Sequence, residues 1–393
     1  MWGIASDMLR QPRKSGNGSM DISQRVIRHD RRAAPSANQK LAPAHILAVA
    51  TAVPPYVLDQ EDVGQRVRRH FIDRFPSFDR VANVFSTAGI RKRHSVRPIE
   101  WHLNINGWPE RTAAYLDGAC ALFTDAAGSA LRQADLAAAD VDCIVTVSST
   151  GIATPSLEAR VCERMGFRRD VRRIPVFGLG CAGGVTGLSI ASQLAMATPG
   201  SRVLLVAVEC CSLASRHDAL TKANIVALAL FGDGAAAVIL STESGAAGGL
   251  GAIVGSAERI WPGTLDIMGW SIEPAGFGVI FDQSIPTFAA AHIREAVDGI
   301  LDEQSLRQSD LARMICHPGG RKVVEAIETS LDLPEHSLAD ERAVLADYGN
   351  MSAPTVLFVL ERAVGVGLPA RSLVTALGPG FTLSTATLQR NLP

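Results

Sequence analysis

The sequence predicts a layered α/β protein built from two similar halves. From residue 45 onward, short β-type runs alternate with longer helical patterns. Several of these runs are apolar at every position, as expected for strands that are covered by helices on both faces. The order strand, helix and strand occurs twice along the chain, which indicates a duplicated fold.

The strand candidates are residues 141–149, 202–210, 234–241, 312–317 and 372–378. Strand 141–149 leads to a helix that opens at Cys181 and then to strand 202–210. Strand 312–317 leads to a helix that opens at Asn350 and then to strand 372–378. We therefore expect Cys181 and Asn350 at matching helix N-termini, facing one another across a pseudo-twofold axis.

The domain organisation follows from this repeat. We predict a flexible N-terminal extension (1–42), a first half (43–245) and a second half (246–393), with the glycine-rich stretch 243–255 at the junction. The extension is polar and contains many Gly, Pro and Ser residues, which favours a mobile segment. An amphipathic arm that packs on a neighbouring subunit is the other interpretation.

Composition excludes several classes of protein. The chain has 393 residues, 47% hydrophobic and 20% charged, with a formal net charge of -1. This balance argues against an electrostatic nucleic-acid binder, and the longest apolar runs are too short to span a bilayer. Seven cysteines without a C-x-x-C motif favour reduced thiols in the cytoplasm over a disulfide framework or a zinc site.

Cys181 lies in "GLGCAGG", between glycines at the predicted helix start. A helix N-terminus and a nearby imidazolium would favour its thiolate form. The glycines allow a substrate to approach the backbone closely and leave N–H groups for an oxyanion hole. The same pattern also fits a buried cysteine that packs as a small hydrophobic residue.

Two residues far along the chain are candidate partners of this cysteine. His317 ends a predicted strand and precedes Pro318-Gly319-Gly320, which must turn. Taken alone, it would more often be a structural core histidine, and helix capping alone would explain Asn350. Because a nucleophilic cysteine takes its base from a distant part of the sequence, the three residues together favour a Cys-His-Asn site.

Five motifs occur in order: "GLGCAGG", "LFGDGAAAVI", "CHPGG", "YGNMSAPT" and "LGPGFT". They resemble the type III polyketide synthases, the chalcone synthase-like branch of the thiolase-fold condensing enzymes, over roughly residues 45–390. The resemblance implies a homodimer of five-layered αβαβα subunits that uses an acyl-CoA starter and malonyl-CoA, with no cofactor or metal. It implies that Cys181 accepts the acyl group and that His317 and Asn350 hold the thioester carbonyl during decarboxylation.

The resemblance also implies residues that line the substrate cavity. Phe231 corresponds to a gatekeeping phenylalanine, whereas the place of a second one holds Gly278 or Val279, flanked by Phe277 and Phe281. The other implied cavity residues are Thr150, Cys211, Ala214, Gly378, Pro379 and Gly380.

The motifs "GLGCAGG" and "TLDIMGW" resemble bacterial members that make alkylpyrones or alkylresorcinols. Alanine at position 214 leaves room in the implied cavity. Because each buried methylene is worth about 0.8 kcal/mol, a deep pocket would favour a medium or long fatty acyl-CoA starter.

A basic segment, residues 78–94, lies just before the core. It contains Arg80, Arg91, Lys92 and Arg93. Such side chains could bind the phosphates of CoA, and we take Arg80 and Arg91 as the candidates. A solvated surface run is the other interpretation.

Other functions are compatible with parts of the pattern. A ketoacyl-ACP synthase III-like enzyme, which performs a single condensation, would use a similar Cys-His-Asn set. A catalytically silent acyl-binding scaffold would not need all three residues. A papain-like cysteine hydrolase shares the three residue types, but the duplicated α/β pattern argues against it.

Overall fold

The strands and helices follow the predicted alternation. A computed structural model describes residues 42–75, 78–216, 218, 221–244 and 249–390. The predicted extension, 1–42, lies outside the described residues except for its last position. Residues from Leu41 to Pro393 belong to one compact unit.

The strands in the described residues are β1 Ala44–Ala52, β2 Tyr56–Asp59, β3 Lys92–Ser95, β4 Cys143–Val147, β5 Arg172–Val176, β6 Val203–Cys210, β7 Asp233–Ser241, β8 Gly251–Ile260, β9 Met268–Glu273, β10 Gly276–Phe281, β11 Arg313–Cys316, β12 Arg371–Gly378 and β13 Thr382–Gln389. The helices there are α1 Gln60–Phe71, α2 Phe78–Ala82, α3 Val84–Thr87, α4 Ile99–His102, α5 Trp108–Gln133, α6 Leu157–Met165, α7 Gly183–Ala197, α8 Lys222–Leu230, α9 Ile285–Glu303, α10 Arg321–Ser330, α11 Ala339–Tyr348 and α12 Thr355–Gly365.

The large sheet shows the duplication directly. Its strand order is β11-β12-β13-β8-β1-β7-β6-β4-β5. In the first half, β4 pairs parallel with β6, and β6-β7 and β7-β1 are antiparallel. In the second half, β11 pairs parallel with β12, and β12-β13 and β13-β8 are antiparallel. The same connectivity therefore occurs twice, and the halves meet where β1 pairs with β8 over only three residues.

Helices pack on both faces of each half of the sheet. The resulting five layers are an outer helix pair, the first half of the sheet, the central helices, the second half of the sheet and another outer helix pair. One buried cluster joins α7 and α12 to strand residues of both halves, such as Leu205 on β6 and Val374 on β12. The opposite face of the first half packs on α5 and α6, for example at Phe123. The opposite face of the second half packs on α9 and α10, for example at Val297. The predicted thiolase-like αβαβα arrangement is confirmed.

The two central helices approach each other closely at their N-terminal ends. A Cβ atom on Gly184 would lie 2.2 Å from the backbone oxygen of Ala353, and one on Gly183 would lie 2.6 Å from Val147. Only glycine fits at these contacts, so the small residues that open α7 set the distance to the segment before α12.

The predicted strands agree with the structure to within two residues at each end. All eight residues of β6 and all nine of β7 are buried, which explains why these runs lack polar alternation. Within the described residues the second half has no counterpart of β5, so the duplication is incomplete at that edge of the sheet.

Candidate active site

Cys181 lies in the short 3₁₀ turn Gly180–Ala182, directly before α7. The backbone before it is left-handed at Gly178 (φ 91°) and Gly180 (φ 48°). A Cβ on Gly180 would also lie 2.7 Å from the ring of Pro379. Glycine is therefore required here by conformation and by space, and the turn presents Cys181 from the first half toward the loop of the second.

Ser149, just after β4, holds this turn. Its Oγ accepts hydrogen bonds from the backbone N–H groups of Gly178 (3.1 Å) and Gly180 (3.3 Å). Its own N–H donates to both carboxylate oxygens of buried Glu209. The expectation that the glycines leave free N–H groups for an oxyanion hole is thus wrong for these two, because Ser149 accepts from both.

Asn350 reaches the site from the loop between α11 and α12. Its Oδ1 accepts from Ser352 N–H at 2.8 Å and lies 3.9 Å from Cys181 Sγ. Its Nδ2 donates to the carbonyl of Gly319 at 3.0 Å. The residue does face Cys181, but it precedes α12 by five positions and Pro354 is the N-cap, so the predicted helix-cap position is wrong.

Two backbone hydrogen bonds hold Asn350 beside the first half. Its N–H donates to Leu230 O at 2.8 Å, and Gly232 N–H donates to Asn350 O at 3.1 Å. They form an isolated parallel bridge between Phe231 and Asn350. We call this pair the Phe231–Asn350 bridge; it fixes two cavity residues from different halves in one register.

His317 follows β11 directly, and its backbone N–H donates to Thr375 O at 2.8 Å. The side chain is 4% exposed, and within the described residues neither ring nitrogen has a hydrogen-bond partner. Burial lowers the pKa of His317 to about 3, so the imidazole is neutral near pH 7. It is available to a bound substrate as a hydrogen-bond donor from one nitrogen.

Burial also raises the pKa of Cys181, to about 11, and hydrogen bonds with Ser352 and Asn350 offset this only in part. The negative charge of Glu209 raises it further. With His317 neutral, the cavity contains a thiol and a neutral imidazole rather than the imidazolium expected near Cys181. Transfer of the thiol proton to the imidazole would create both charges together, each stabilising the other.

Cys181, His317 and Asn350 line a single cavity of about 60 Å³. Phe231, Cys211 and Pro379 also line it, as the sequence predicted. At the place of the second gatekeeping residue it is Val279, not Gly278, that lines the wall, together with Phe281.

Four of the predicted cavity residues do not line this wall in the described structure. Thr150 borders a separate cavity of about 20 Å³, and its Oγ1 donates to Glu209 at 2.7 Å. Ala214 is buried at the end of the turn Cys211–Ala214. Gly378 packs against Ala182, and Gly380 (φ 68°) forms the turn between β12 and β13.

Trp270 on β9 lines the cavity and was not predicted to do so. Its Nε1–H donates to the carbonyl of Ser149 at 2.9 Å. Its ring meets Phe231 edge-on at 6.1 Å and stacks on Phe277 at 5.9 Å. Phe277 also borders the cavity that contains Thr150. The Trp270–Phe277 stack is therefore a wall between the two cavities.

Glu209 lies behind this wall as a fully buried carboxylate at the end of β6. It accepts hydrogen bonds from Ser148, Ser149 and Thr150. Burial raises the pKa of Glu209 to about 7, and these hydrogen bonds limit the rise.

An open groove of about 660 Å³ leads to the cavity and shares Phe281, Ile285, Gly319 and Val323 with it. Its basic side chains are Arg80, Lys222, Arg321 and Lys322. Arg91 does not border this groove: its guanidinium pairs with Asp347 at 2.7 Å and lines a different depression. Of the two predicted CoA ligands, the structure brings only Arg80 to the groove.

None of the helices in the described residues is both long and apolar enough to cross a membrane. No three His, Cys, Asp or Glu side chains of that part of the chain come together as metal ligands.

The fold and the cavity define a thiolase-like condensing enzyme, and the comparisons with known proteins identify its family. The profile for "Chalcone and stilbene synthases, N-terminal domain" matches residues 31–244, and that for the C-terminal domain matches residues 252–392. The chain belongs to the chalcone and stilbene synthase family, the type III polyketide synthases, which are acyltransferases that act on acyl-CoA substrates.

Two relatives of the chain are bacterial. The chain is 38% identical to a 1,3,6,8-tetrahydroxynaphthalene synthase of Streptomyces peucetius subsp. caesius, over 86% of this chain and 90% of the relative. It is 34% identical to a putative chalcone synthase of Bacillus subtilis (strain 168), over 86% and 96% of the two chains. The crystal structure of 1,3,6,8-tetrahydroxynaphthalene synthase from Streptomyces coelicolor A3(2) matches with a TM-score of 0.84 and 29% identity, covering 89% of this chain and all of the other. The single-condensation alternative is not favoured.

Proposed function

We propose that this type III polyketide synthase loads a small acyl group from CoA onto Cys181 and extends it with malonyl-CoA. In the loading step Sγ attacks the thioester carbonyl, a C–S bond forms, and CoA leaves with the proton. In each extension malonyl-CoA loses CO₂, and the resulting enolate carbon attacks the acyl group on Cys181. The thiolate is released, and the product is a CoA thioester two carbons longer.

His317 and Asn350 would stabilise the enolate oxygen. The single observation that carries this role is the buried, neutral imidazole of His317, whose ring nitrogens have no partner within the described residues. Neutral donors that are already oriented stabilise a developing oxyanion at little reorganisation cost. Because decarboxylation itself generates the carbanion, the proposed reaction uses no metal and no cofactor besides the CoA thioesters.

The cavity supports a small starter rather than the medium or long acyl chain inferred from Ala214. It holds about 60 Å³, Trp270 closes its inner side, and Ala214 is not part of its wall. Two relatives are named as synthases of 1,3,6,8-tetrahydroxynaphthalene and of 3,5-dihydroxyphenylacetyl-CoA, product names that contain no long alkyl chain. We propose an acetyl- or malonyl-sized starter and a cyclised product of the pyrone or resorcinol type.

Substrate entry is proposed along the basic groove. Its four cationic side chains lie outside the cavity, where the phosphates of CoA would be, and the shared residues lead inward to Cys181. Arg80 is the sequence-predicted member of this set.

The proposed assembly is a homodimer in the cytoplasm. β5 is one of the two edge strands of the sheet, and the exposed side chains Phe177 and Ile152 (57% each) border a groove of about 400 Å³ beside it. An unpaired edge next to apolar side chains is suited to cover by a second copy of the chain. All seven cysteines fall within the described residues and are free thiols, which supports a reducing compartment.

Product analysis tests the proposal. Purified protein is incubated with malonyl-CoA and an equimolar mixture of acetyl-, hexanoyl-, lauroyl- and coumaroyl-CoA, and the products are identified by mass spectrometry. We expect malonyl- or acetyl-primed products to predominate. A preference for lauroyl- or coumaroyl-CoA would contradict the small starter, and absence of both CO₂ release and extended products would contradict the function.

Trp270→Ala sharpens the test, because it removes the wall between the two cavities. We expect the ratio of hexanoyl- or lauroyl-primed to acetyl-primed products to rise at least about tenfold, as excluded chains gain room. Ala214→Val is the matched control. It adds volume at the position that the sequence, but not the structure, assigns to the cavity, so the starter profile should stay that of the wild type.

A further inference from the structure

Arg93 occupies an unusual place for an arginine. It lies on β3, which pairs with β2 in a small sheet outside the duplicated fold. Its neighbour Lys92 is exposed, whereas Arg93 is only 2% exposed. Although it belongs to the basic segment in which CoA ligands were sought, it faces inward and contacts no solvent groove.

The Arg93 side chain lies against both strands of the Phe231–Asn350 bridge. Its Nη1 donates to the carbonyl of Phe231 at 2.8 Å. Its Cγ and Cδ lie 2.7 and 2.8 Å from the place of a Cβ on Gly349, and its Cβ lies 3.4 Å from that place on Gly232. Gly349 precedes Asn350 and Gly232 follows Phe231, so the arginine stem fills the space beside both.

The guanidinium is buried with little compensation. Within the described residues its Nε and Nη2 have no hydrogen-bond partner. Burial lowers the pKa of Arg93 to about 10, and the charge of Asp233 offsets this in part. A buried cation with one direct hydrogen bond costs stability compared with an apolar residue of the same shape. The charge-assisted bond to Phe231 O is correspondingly strong and directional.

We propose that Arg93 is a positioning residue for the condensation reaction: it holds the Phe231–Asn350 bridge in register, so that the phenyl ring and the amide reach the cavity together. This inference rests on the proposed function, and it adds a residue outside both halves of the duplicated fold to the machinery. Arg93 touches neither Cys181 nor the cavity, so its removal should impair the step that uses Asn350 and spare the thiol.

Arg93→Met tests this role because it keeps the unbranched stem and removes the donor. We expect malonyl-CoA decarboxylation to slow by about 10- to 10²-fold in kcat, the usual penalty for a small displacement of a catalytic group. KM for malonyl-CoA and the rate of Cys181 alkylation by iodoacetamide should stay close to the wild-type values. Arg93→Lys, which restores a cationic donor on a similar stem, should recover part of the loss.

Arg97→Met is the matched control, since Arg97 lies close by in sequence and pairs with Asp117 at the surface. It should decarboxylate malonyl-CoA like the wild type. The role of Arg93 is overturned if folded Arg93→Met decarboxylates as fast as Arg97→Met, or if alkylation falls in parallel with decarboxylation. If Arg93→Met does not fold, Arg93→Lys decides: slower decarboxylation with unchanged alkylation supports the role, and an unchanged rate overturns it.

The wild-type rate separates the two hypotheses. A wild-type protein that releases no CO₂ from malonyl-CoA would overturn the proposed function and, with it, the role of Arg93. Wild-type decarboxylation together with an unimpaired Arg93→Met variant overturns the role of Arg93 alone.

Discussion

The matching strands β4 and β11 of the two halves end differently. In the first half, β4 leads into Ser148 and Ser149; in the second, β11 leads into His317. Ser149 uses all its polar groups: its N–H donates to Glu209, its Oγ accepts two backbone N–H groups, and its carbonyl accepts from Trp270. The side chain of His317 bonds to nothing within the described residues.

This difference indicates that Ser149 has a structural role and that His317 is available for the reaction. Buried polar groups are normally paired, so a saturated strand end is a rigid scaffold, and an unpaired buried imidazole beside a cavity is a group kept for a ligand. Duplication placed the same strand and helix arrangement in both halves. The first half uses it to fix the nucleophile loop, and the second uses it to present donors.

The largest expected effect comes from removing the group that the first half presents. Cys181→Ala should abolish acyl loading and lower product formation by more than about 10³-fold. The other thiol of the cavity, Cys211, is a poor replacement because burial raises its pKa well above the usual value and keeps it neutral. Intact-mass measurement after incubation with acyl-CoA checks the loading step. Cys211→Ala removes the other thiol of the cavity and should still be acylated. Acylation of the Cys181→Ala protein would show that the nucleophile is not the residue that the first half presents.

The next effect tests the second half. Asn350→Ala should slow malonyl-CoA decarboxylation by about 10²-fold, the usual cost of one lost oxyanion donor, and should leave the thiol reactive. The two readings are CO₂ release and the rate of iodoacetamide alkylation. Asn104→Ala, at an exposed asparagine, serves as control. Equal losses in the rates of CO₂ release and of alkylation would show that the substitution disrupts the whole site. The assignment of separate roles to the two halves would then be contradicted.

The smallest effect concerns the charge of His317. Its native pKa, about 3, lies below the unfolded value of 6.5. Between these pH values the unfolded chain binds a proton that the native protein does not, so the histidine makes the wild type less stable as the pH falls below 6.5. His317→Gln lacks this penalty. The difference in the free energy of unfolding between this variant and the wild type should therefore increase, in favour of the variant, by about 1.4 kcal/mol per pH unit below 6.5.

Urea denaturation of both proteins at pH 7.5, 6.5 and 5.5 measures this difference, and other titrating groups cancel in the comparison. A difference that stays constant with pH would show that the native pKa of His317 equals its unfolded value. A wild type that gains on the variant as the pH falls from 7.5 to 6.5 would show that native His317 already carries its proton. The resting site would then be a thiolate–imidazolium pair, and the second half would supply charge rather than a neutral donor.

The parts of the fold that were predictable are those in which local pattern and burial agree. β6 and β7 are buried on both faces, and their uninterrupted apolar runs are visible in the sequence. Cys181, His317 and Asn350 stand in glycine-rich motifs at element ends, and these motifs placed all three in one cavity. Asn350 was misplaced only relative to its helix, because the loop before α12 is longer than the turn before α7.

The cavity wall was less predictable because it is made by packing between distant elements. Trp270 stands on a two-stranded sheet, and only the folded chain shows that its ring stacks on Phe277 and closes the cavity. The segment 91–93 illustrates the same limit. Composition marks it as basic, but the alternation along β3 turns Arg93 inward, while Arg91, before the strand, pairs with Asp347.

The close approach of Gly184 to Ala353 constrains how such enzymes can be recombined. The first turn of α7, in the first half, packs on the loop before α12, in the second half, at a distance that leaves no room for an additional methyl group. A chimera that takes its halves from two relatives inherits this contact from both parents at once. Such a chimera will be active only if the parent that supplies residues 183–184 and the parent that supplies residue 353 have the same spacing at this contact. Sequence identity elsewhere does not replace that requirement.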